Sequence, residues 1–336
     1  MTVEKGERTY QCKALTDLWT GSVDRKAKRL VTTGLLGSIR WWFEVLVRGL
    51  RGGACDASDT KCEDRNHCVV CEFFGCTGWG RKSRFDVLDE NNQPKAIQIK
   101  KDTTFCLRFT PLRPIRREEW ALLDATLHLI AEYGAIGGRT VLKPSDEPNR
   151  AGEEHHKDFG LMEIIQAPQF NRIVLDALKK YVSQWRKVAD GDFAWASIEN
   201  FWYVNGKHLG RTTASDSSFN IVLRRKESKA CRECGGIHNP PRKCPKTKRY
   251  PSRYSELLVN NNKIERWLAG SQQESKKVFS FKNPARTFGF VKPGLIDFTA
   301  MKQKLENPNV WGKNGWDFLT GDEIINQLFV DKEDRP

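Results

Sequence analysis

No run of apolar residues in this chain of 336 residues is long enough to cross a membrane, and the charged first residues are not followed by an apolar signal segment. We therefore expect a soluble, cytoplasmic protein. The phosphate-binding pattern G-x-x-x-x-G-K-[ST] is also missing. A glycine-rich turn at Gly134–Arg139 follows a predicted helix, whereas a dinucleotide fingerprint follows a strand. These absences argue against a P-loop ATPase and a Rossmann-type dehydrogenase.

Acidic residues are in deficit, because 42 Asp and Glu stand against 56 Lys and Arg, which gives a net charge of +14. A basic chain favours a polyanionic partner, either nucleic acid or an acidic surface, over a generally basic housekeeping protein. The sequence shows no carboxylate cluster for two-metal catalysis and places no His–His or His–Lys pair for a metal-free ribonuclease. The length predicts two domains.

The 10 cysteines fall in groups with short spacings in a chain without an export signal, which favours metal binding over disulfides. The first group lies in a predicted irregular insert at about residues 52–80. A C-x2-C pair there can chelate a metal from one turn, and two earlier cysteines can complete a tetrahedral thiolate site. The four candidate ligands are Cys55, Cys62, Cys68 and Cys71. His67 and Cys76 are rival ligands, and free cysteines in a loop are the alternative.

The second group lies in a strongly basic insert at about residues 224–253, which holds eleven Lys and Arg against two Glu. Its ligand series is Cys231-x2-Cys234-x3-His238-x5-Cys244, one residue off on each side from the C-x2-C-x4-H-x4-C zinc knuckle. The basic flanks suit RNA or single-stranded nucleic acid, although a zinc staple that touches only protein fits the same residues. The chain is thus predicted to bind one or two Zn²⁺ ions.

A strongly apolar stretch predicts a central helix at Ser38–Leu50, with Ser38 as its N-cap. Its charged residues Arg40, Glu44 and Arg48 are spaced by four and form one narrow polar stripe. The helix dipole disfavours a cation such as Arg40 in the first turn. A phosphate bound at the helix start would offset this cost, because backbone N–H groups and the guanidinium would share it.

Other segments combine cations with aromatic rings or glycines, as nucleic-acid contacts do, although a solvated turn or a helix C-cap has the same composition. Three cations lie between two aromatic residues in Trp79–Phe85. The glycine-rich turn is followed by two cations, and further cations, Arg286 among them, lie in a predicted strand–turn–strand at residues 276–295. The candidate RNA-binding residues here are Arg81, Lys82, Arg84, Gly137, Gly138, Arg139, Lys143 and Arg286, in addition to Ser38, Arg40 and Arg48.

These motifs resemble the RAMP superfamily of CRISPR effector subunits and are most similar to the first subunit of the type III-B (Cmr) complex. The resemblance rests on Gly37–Phe43, Leu46–Leu50, Cys68–Cys76 and the turn Gly134–Arg139, and covers roughly the first 160 residues. It implies an α+β fold of two ferredoxin-like (RRM-like) domains with zinc-binding and loop insertions. We place the domains at residues 1–168 and 169–336.

The resemblance also implies a function. It predicts a non-catalytic RNA-binding subunit of a type III CRISPR ribonucleoprotein that helps capture target RNA in antiviral defence. Its partners would be guide RNA near the 3′ end, target RNA in the guide–target duplex, and other RAMP subunits, with no membrane partner. Phosphate contacts suit a protein that serves many guides. We expect Ser38, Arg40 and Arg139 to converge on one RNA backbone.

Two alternatives remain. Some RAMP subunits cut RNA with an aspartate in the loop after the first strand, and Asp24 occupies a comparable loop here. The chain would then be an endoribonuclease that cleaves target or guide RNA, although Asp24 beside Arg25 and Lys26 also fits a local charge partner. The other alternative is a free-standing zinc-containing RNA-binding protein.

Overall fold

A computed structural model describes residues 3–4, 6–21, 29–55, 62–140, 156–169, 173–188, 191–210, 217–223, 227–231, 234, 243–248, 254–258, 263–270 and 274–329. Its strands are β1 Val3–Glu4, β2 Arg8–Ala14, β3 Ser83–Leu88, β4 Thr104–Pro111, β5 Ile115–Arg116, β6 Met162–Gln166, β7 Phe201–Asn205, β8 Glu227–Cys231, β9 Tyr254–Leu258, β10 Val278–Lys282, β11 Ala285–Phe290 and β12 Leu319–Thr320. Its α-helices are α1 Thr32–Gly49, α2 Val69–Phe74, α3 Arg117–Glu132, α4 Leu175–Ser183, α5 Ser218–Leu223, α6 Lys263–Ala269, α7 Phe298–Leu305 and α8 Gly321–Phe329. Two short 3₁₀ helices span Gly191–Phe193 and Ile198–Asn200.

The first half of the chain forms a four-stranded antiparallel sheet in the order β3-β4-β2-β6. Helix α1 lies in the chain between β2 and β3, and α3 lies between β4 and β6. Alternate residues of β2, namely Tyr10, Cys12 and Ala14, are fully buried, as the two-residue period of a half-buried strand requires. This sheet therefore has one core face and one outer face.

The second half forms another four-stranded antiparallel sheet in the order β10-β11-β7-β12. The two sheets share one strand order. In the first sheet, the first strand in the chain, β2, lies between the third, β4, and the fourth, β6. In the second sheet, β7 lies in the same way between β11 and β12. Strands β8 and β9 pair separately as a two-stranded ribbon. The predicted α+β class is confirmed to this extent, as helices combined with two antiparallel sheets.

Helix α1 joins the two halves through its aromatic residues. The Trp42 ring lies 5.7 Å from that of Phe201 and 5.8 Å from that of Phe288, both on the second sheet. Trp41 meets Phe290 at 5.8 Å. The core is therefore continuous from one sheet to the other. Although α1 is strongly apolar, neither it nor any other helix within the described ranges is long and apolar enough to cross a membrane.

The predicted start of the central helix is wrong by six residues. Helix α1 begins at Thr32 with Val31 as an N-cap that makes no side-chain cap hydrogen bond, so Ser38 lies inside the helix. Gly34 and Gly37 made this stretch look like an approach segment. Burial of Leu35 and Ile39, both 0% exposed, keeps it helical despite a glycine cost of about 0.5–1 kcal/mol each.

Candidate functional site

Four cysteine side chains from separate segments meet beside α1. Cys55 follows the helix, Cys62 precedes α2, Cys68 is the N-cap of α2, and Cys71 lies within it. All four are buried, and their sulfur atoms lie within 4.8 Å of one another. Ligands about 2.3 Å from a tetrahedral zinc lie about 3.8 Å apart. The predicted grouping of these four residues is confirmed, and their spacing is compatible with a bound metal ion.

The surroundings of the cluster suit a negatively charged thiolate site. The backbone N–H of Cys68 donates to the sulfur of Cys62 at 3.4 Å. Hydrogen bonds within the cluster hold the pKa of Cys68 well below its ordinary value and raise the pKa values of Cys55 and Cys71, so the negative charge is concentrated on Cys68. The rival ligand His67 is engaged elsewhere, because its Nε2 lies 2.7 Å from the Glu72 carboxylate. The donor set therefore fits a divalent ion that prefers sulfur, such as Zn²⁺.

Arg40 belongs to this cluster. Its Nη2 lies 3.6 Å from the sulfur of Cys71 and 3.9 Å from that of Cys55, while its Nε donates to Glu44 at 3.0 Å. It also donates to the carbonyl of Gly75. The cation is not in the first turn of α1, so no phosphate is needed to offset the helix dipole. The expected convergence of Arg40 with Ser38 and Arg139 on one RNA backbone is not observed.

Three other predicted RNA contacts are buried cations that serve the fold, which corrects their assignment. Arg48 donates to the carbonyls of Ala196 at 3.1 Å and Ala54 at 3.3 Å. Lys82 donates to both carboxylate oxygens of Glu119, at 2.7 and 2.9 Å, and pairs with Glu72. A third, Arg286, donates to the Ala131 carbonyl at 3.0 Å and lies near two later carbonyls of the same helix end. It therefore caps the C-terminus of α3.

Little in the sequence indicates the polar network around Lys82. Glu119 is 0% exposed and also accepts hydrogen bonds from the Tyr181 hydroxyl at 2.6 Å and the backbone N–H of Arg116 at 2.8 Å. The one available signal was its position in the first turn of α3, where a carboxylate closes a capping box. The network ties the cysteine-rich segment to α3 and α4.

The glycine-rich turn packs against α1 as expected, but its backbone donors face inward. The N–H of Gly137 donates to Ser38 Oγ at 3.0 Å, and that of Gly138 donates to the carbonyl of Trp19 at 2.8 Å. These two amides therefore do not form the predicted phosphate cradle. The side chain of Arg139 lies over the Trp19 ring at 4.6 Å and over Phe159 at 5.7 Å.

Substitution of Gly137 by alanine is expected to destabilise the chain by about 1–3 kcal/mol. Its φ is +82°, and an added Cβ would lie 2.6 Å from the Trp19 carbonyl oxygen. Gly37→Ala is the matched control, because no atom lies within 4 Å of a Cβ there and α1 would gain about 0.5–1 kcal/mol. Chemical denaturation measures both, and equal effects would contradict the packing role of the turn.

A cavity of 470 Å³ opens beside this turn, between α1 and the second sheet. Six of its sixteen described lining residues are aromatic, four carry hydroxyl groups and one is a lysine. The lining residues are Thr20, Gly21, Gly34, Ser38, Trp41, Trp42, Ala135, Gly137, Gly138, Thr140, Phe193, Trp195, Ser275, Lys276, Phe279 and Phe288. No acidic side chain is among these described residues. The cavity thus combines stacking surfaces with positive charge.

The structure describes some of the remaining predicted site residues and not others. Arg81 and Arg84 are exposed, and Arg84 pairs with Asp86 at 2.9 Å. Asp24, Lys143 and His238 lie outside the described residues. Of the second ligand series, Cys231 ends β8, Cys234 is half-buried and Cys244 is buried.

Comparison with known families decides one point. Residues 11–142 match the family model of the RAMP superfamily. Residues 11–142, called the RAMP segment below, are thus similar to the RAMP superfamily. This RAMP segment contains α1, the four-cysteine cluster and the glycine-rich turn, and confirms the resemblance inferred from the sequence. The second sheet, which supplies Phe279 and Phe288 to the cavity wall, lies outside the RAMP segment.

The RAMP segment and the rest of the chain also show distant likeness to solved structures. Cmr1 from Pyrococcus furiosus (apo form) is 15% identical, with a TM-score of 0.42 and coverage of 96% of this chain and 97% of that chain. A chain of the Type III-B Cmr-beta complex bound to cognate target RNA is 12% identical, with a TM-score of 0.43 and coverage of 90% and 98%. A chain of the Csm3-Csm4 subcomplex of the type III-A interference complex is 11% identical, with a TM-score of 0.25 and coverage of 56% and 100%. No curated protein matches the chain.

Proposed function

We propose that the chain is a non-catalytic RNA-binding subunit of a type III, Cmr-like CRISPR ribonucleoprotein. It would contact the 3′ region of the guide RNA or the guide–target duplex, beside other RAMP subunits, and help capture target RNA. The observation that carries this proposal is the RAMP segment at residues 11–142. The net charge of +14 and the acid-free cavity beside the glycine-rich turn support it.

The fold proposal is that each half is a ferredoxin-like (RRM-like) domain, at residues 1–168 and 169–336. The shared strand order of the two sheets supports it, as does the placement of the long helix α1 after the first strand and of α3 after the third in the first half. The outer face of the first sheet carries residues such as Gln11, Lys13 and Arg108, and no aromatic side chain among its described strands. RNA is therefore not expected to stack on that face as it does in RRM domains.

Phosphate contacts are instead proposed at cations around the cavity. Lys276 lines it, and Arg139 lies between the lining residues Gly138 and Thr140 in the chain. Arg81, Arg84 and Lys143 remain candidates for further contacts along the strand. Such contacts give affinity without sequence preference, as a subunit that accepts many guides requires.

The double variant Arg139→Ala/Lys276→Ala is expected to bind single-stranded RNA of every sequence more weakly. The slope of log K against log salt should become shallower by about 0.7 for each phosphate contact removed. Lys302→Ala/Lys313→Ala is the matched control, because these two lysines are exposed elsewhere in the second half. Titrations at several salt concentrations provide the measurement. An unchanged slope in the first variant, or an equal change in the control, would refute the phosphate assignment.

We also propose that Cys55, Cys62, Cys68 and Cys71 hold a Zn²⁺ ion, and that Cys231, Cys234, His238 and Cys244 hold a second one. Zinc in such sites cross-links segments that have no extensive core of their own. At the first site, four thiolates and Zn²⁺ carry a net charge of −2, and the contact of Arg40 with two of the sulfurs offsets part of it.

A further inference from the structure

The walls of the cavity come from both halves of the chain, and each half contributes aromatic rings. The RAMP segment supplies Trp41 and Trp42, and the second half supplies Phe193, Trp195, Phe279 and Phe288. Trp41, Phe193 and Phe279 are half-buried, so each keeps part of its ring accessible. The cavity therefore offers ring surface that the core has not covered.

Phe279 and Phe288 form a flat double layer on one wall. They face each other across β10 and β11, with ring centroids 4.9 Å apart and ring planes inclined by 13°. Phe279 lies on the strand at the edge of the second sheet. A planar ligand can continue this stack from the cavity side, since every nucleobase presents a π-face to an aromatic ring.

The described polar side chains that line the cavity are few, and none of them is acidic. Four hydroxyl side chains line it, from Thr20, Ser38, Thr140 and Ser275. Lys276 adds positive charge, and no acidic side chain among the described lining residues opposes it. A volume of 470 Å³ lies in the ordinary range of small-ligand sites. These features fit a planar heterocycle attached to an anion.

We propose that this cavity takes one unpaired nucleobase of the bound RNA strand, stacked against Phe279 and held beside Phe193 and Trp41, with its phosphate towards Lys276. The proposal rests on the RNA-binding function proposed above and adds a base contact to its phosphate contacts. A paired base cannot enter, because its partner strand blocks access to the cavity. Stacking tolerates all four bases, so the site places a nucleotide without reading its identity.

The test compares two probes of equal length and charge: single-stranded oligoadenylate, and the abasic ribose-phosphate oligomer that lacks every base. The unmodified full-length chain is expected to bind oligoadenylate about 5- to 150-fold more tightly, the range that one base stacked on aromatic rings supplies. Phe193→Ala and Phe279→Leu should each remove most of this preference and leave the salt slope unchanged. Phe298→Ala, a half-buried aromatic residue outside the cavity, is the control that should keep it.

The outcomes separate the cavity from the wider function. If both phenylalanine variants fold, as judged by melting temperature, and keep the full preference for oligoadenylate, the cavity does not hold a base, although salt-dependent RNA binding still supports the proposed function. If the unmodified chain binds neither probe, the proposed RNA-binding function is refuted, and the cavity proposal, which rests on it, is refuted as well. A 5-iodouridine-containing RNA that crosslinks to Phe193, Phe279 or Trp41 would support the site directly, and crosslinks confined to the outer face of the first sheet would overturn it.

Discussion

Cys71→Ser is expected to remove one zinc ion per chain and to cost about 4 kcal/mol or more in stability. Cys71 is buried and lies 3.2 Å from the sulfur of Cys55, so a serine there withdraws a ligand from the centre of the cluster. Structural zinc sites contribute their binding energy to folding, with apparent values of about 10–16 kcal/mol in zinc-finger peptides. Loss of one ligand forfeits a large part of such an energy. Elemental analysis and thermal unfolding measure the two effects.

Cys106→Ser makes the same chemical change outside the cluster. Cys106 is a half-buried residue on β4, and the cluster does not include it. We expect full metal content and a stability change within about 1 kcal/mol. If Cys71→Ser retained the metal content of the unmodified chain, the four-thiolate zinc site would be wrong, even if the melting temperature fell.

Lys82→Met is expected to lower the free energy of unfolding by about 3–5 kcal/mol. The Lys82 side chain is 6% exposed, and its ammonium group is the cation shared by Glu72 and Glu119. Without it, two carboxylates remain in the core with fewer partners, and an uncompensated buried charge is costly. Denaturant unfolding of the purified chain gives the value.

Arg81→Met is the control for this variant, because it removes a neighbouring cation that is exposed. Its stability should stay within about 0.5 kcal/mol, as for most surface substitutions. The pair also separates folding from binding, since Arg81 remains a candidate phosphate contact and Lys82 does not. A stable Lys82→Met chain with weakened RNA binding would restore the original assignment of Lys82.

The success of the sequence-based predictions depends on how far apart the interacting residues lie in the chain. Cys68 and Cys71 are three residues apart, so spacing alone identified them as a chelating pair. Lys82 and Arg286 failed as predicted RNA contacts because their partners lie 37 and 155 residues away. The sequence alone does not distinguish a lysine or arginine that faces solvent from one that pairs with a buried carboxylate. The cavity was missed for the same reason, since its walls come from both halves.

At α1 and at the glycine-rich turn, packing against distant residues overrides what the neighbouring residues in the sequence predict. A glycine-bearing stretch was predicted to precede the helix, but buried contacts extend α1 to Thr32. The turn was placed correctly next to Ser38, but the direction of its amides depends on Trp19, which lies in a distant loop. The helix and the close approach were therefore predictable, and the hydrogen-bond partners were not.

One guanidinium links the four-cysteine cluster to the cavity. Arg48 holds the carbonyl of Ala54, next to Cys55, and the carbonyl of Ala196, next to the cavity residue Trp195. A shift of the Ala54 segment would therefore disturb the hydrogen bond that holds the Ala196 carbonyl beside the Trp195 wall. Because binding free energies are linked reciprocally, a metal ion that tightens the cavity for its ligand is itself held more tightly when that ligand is present.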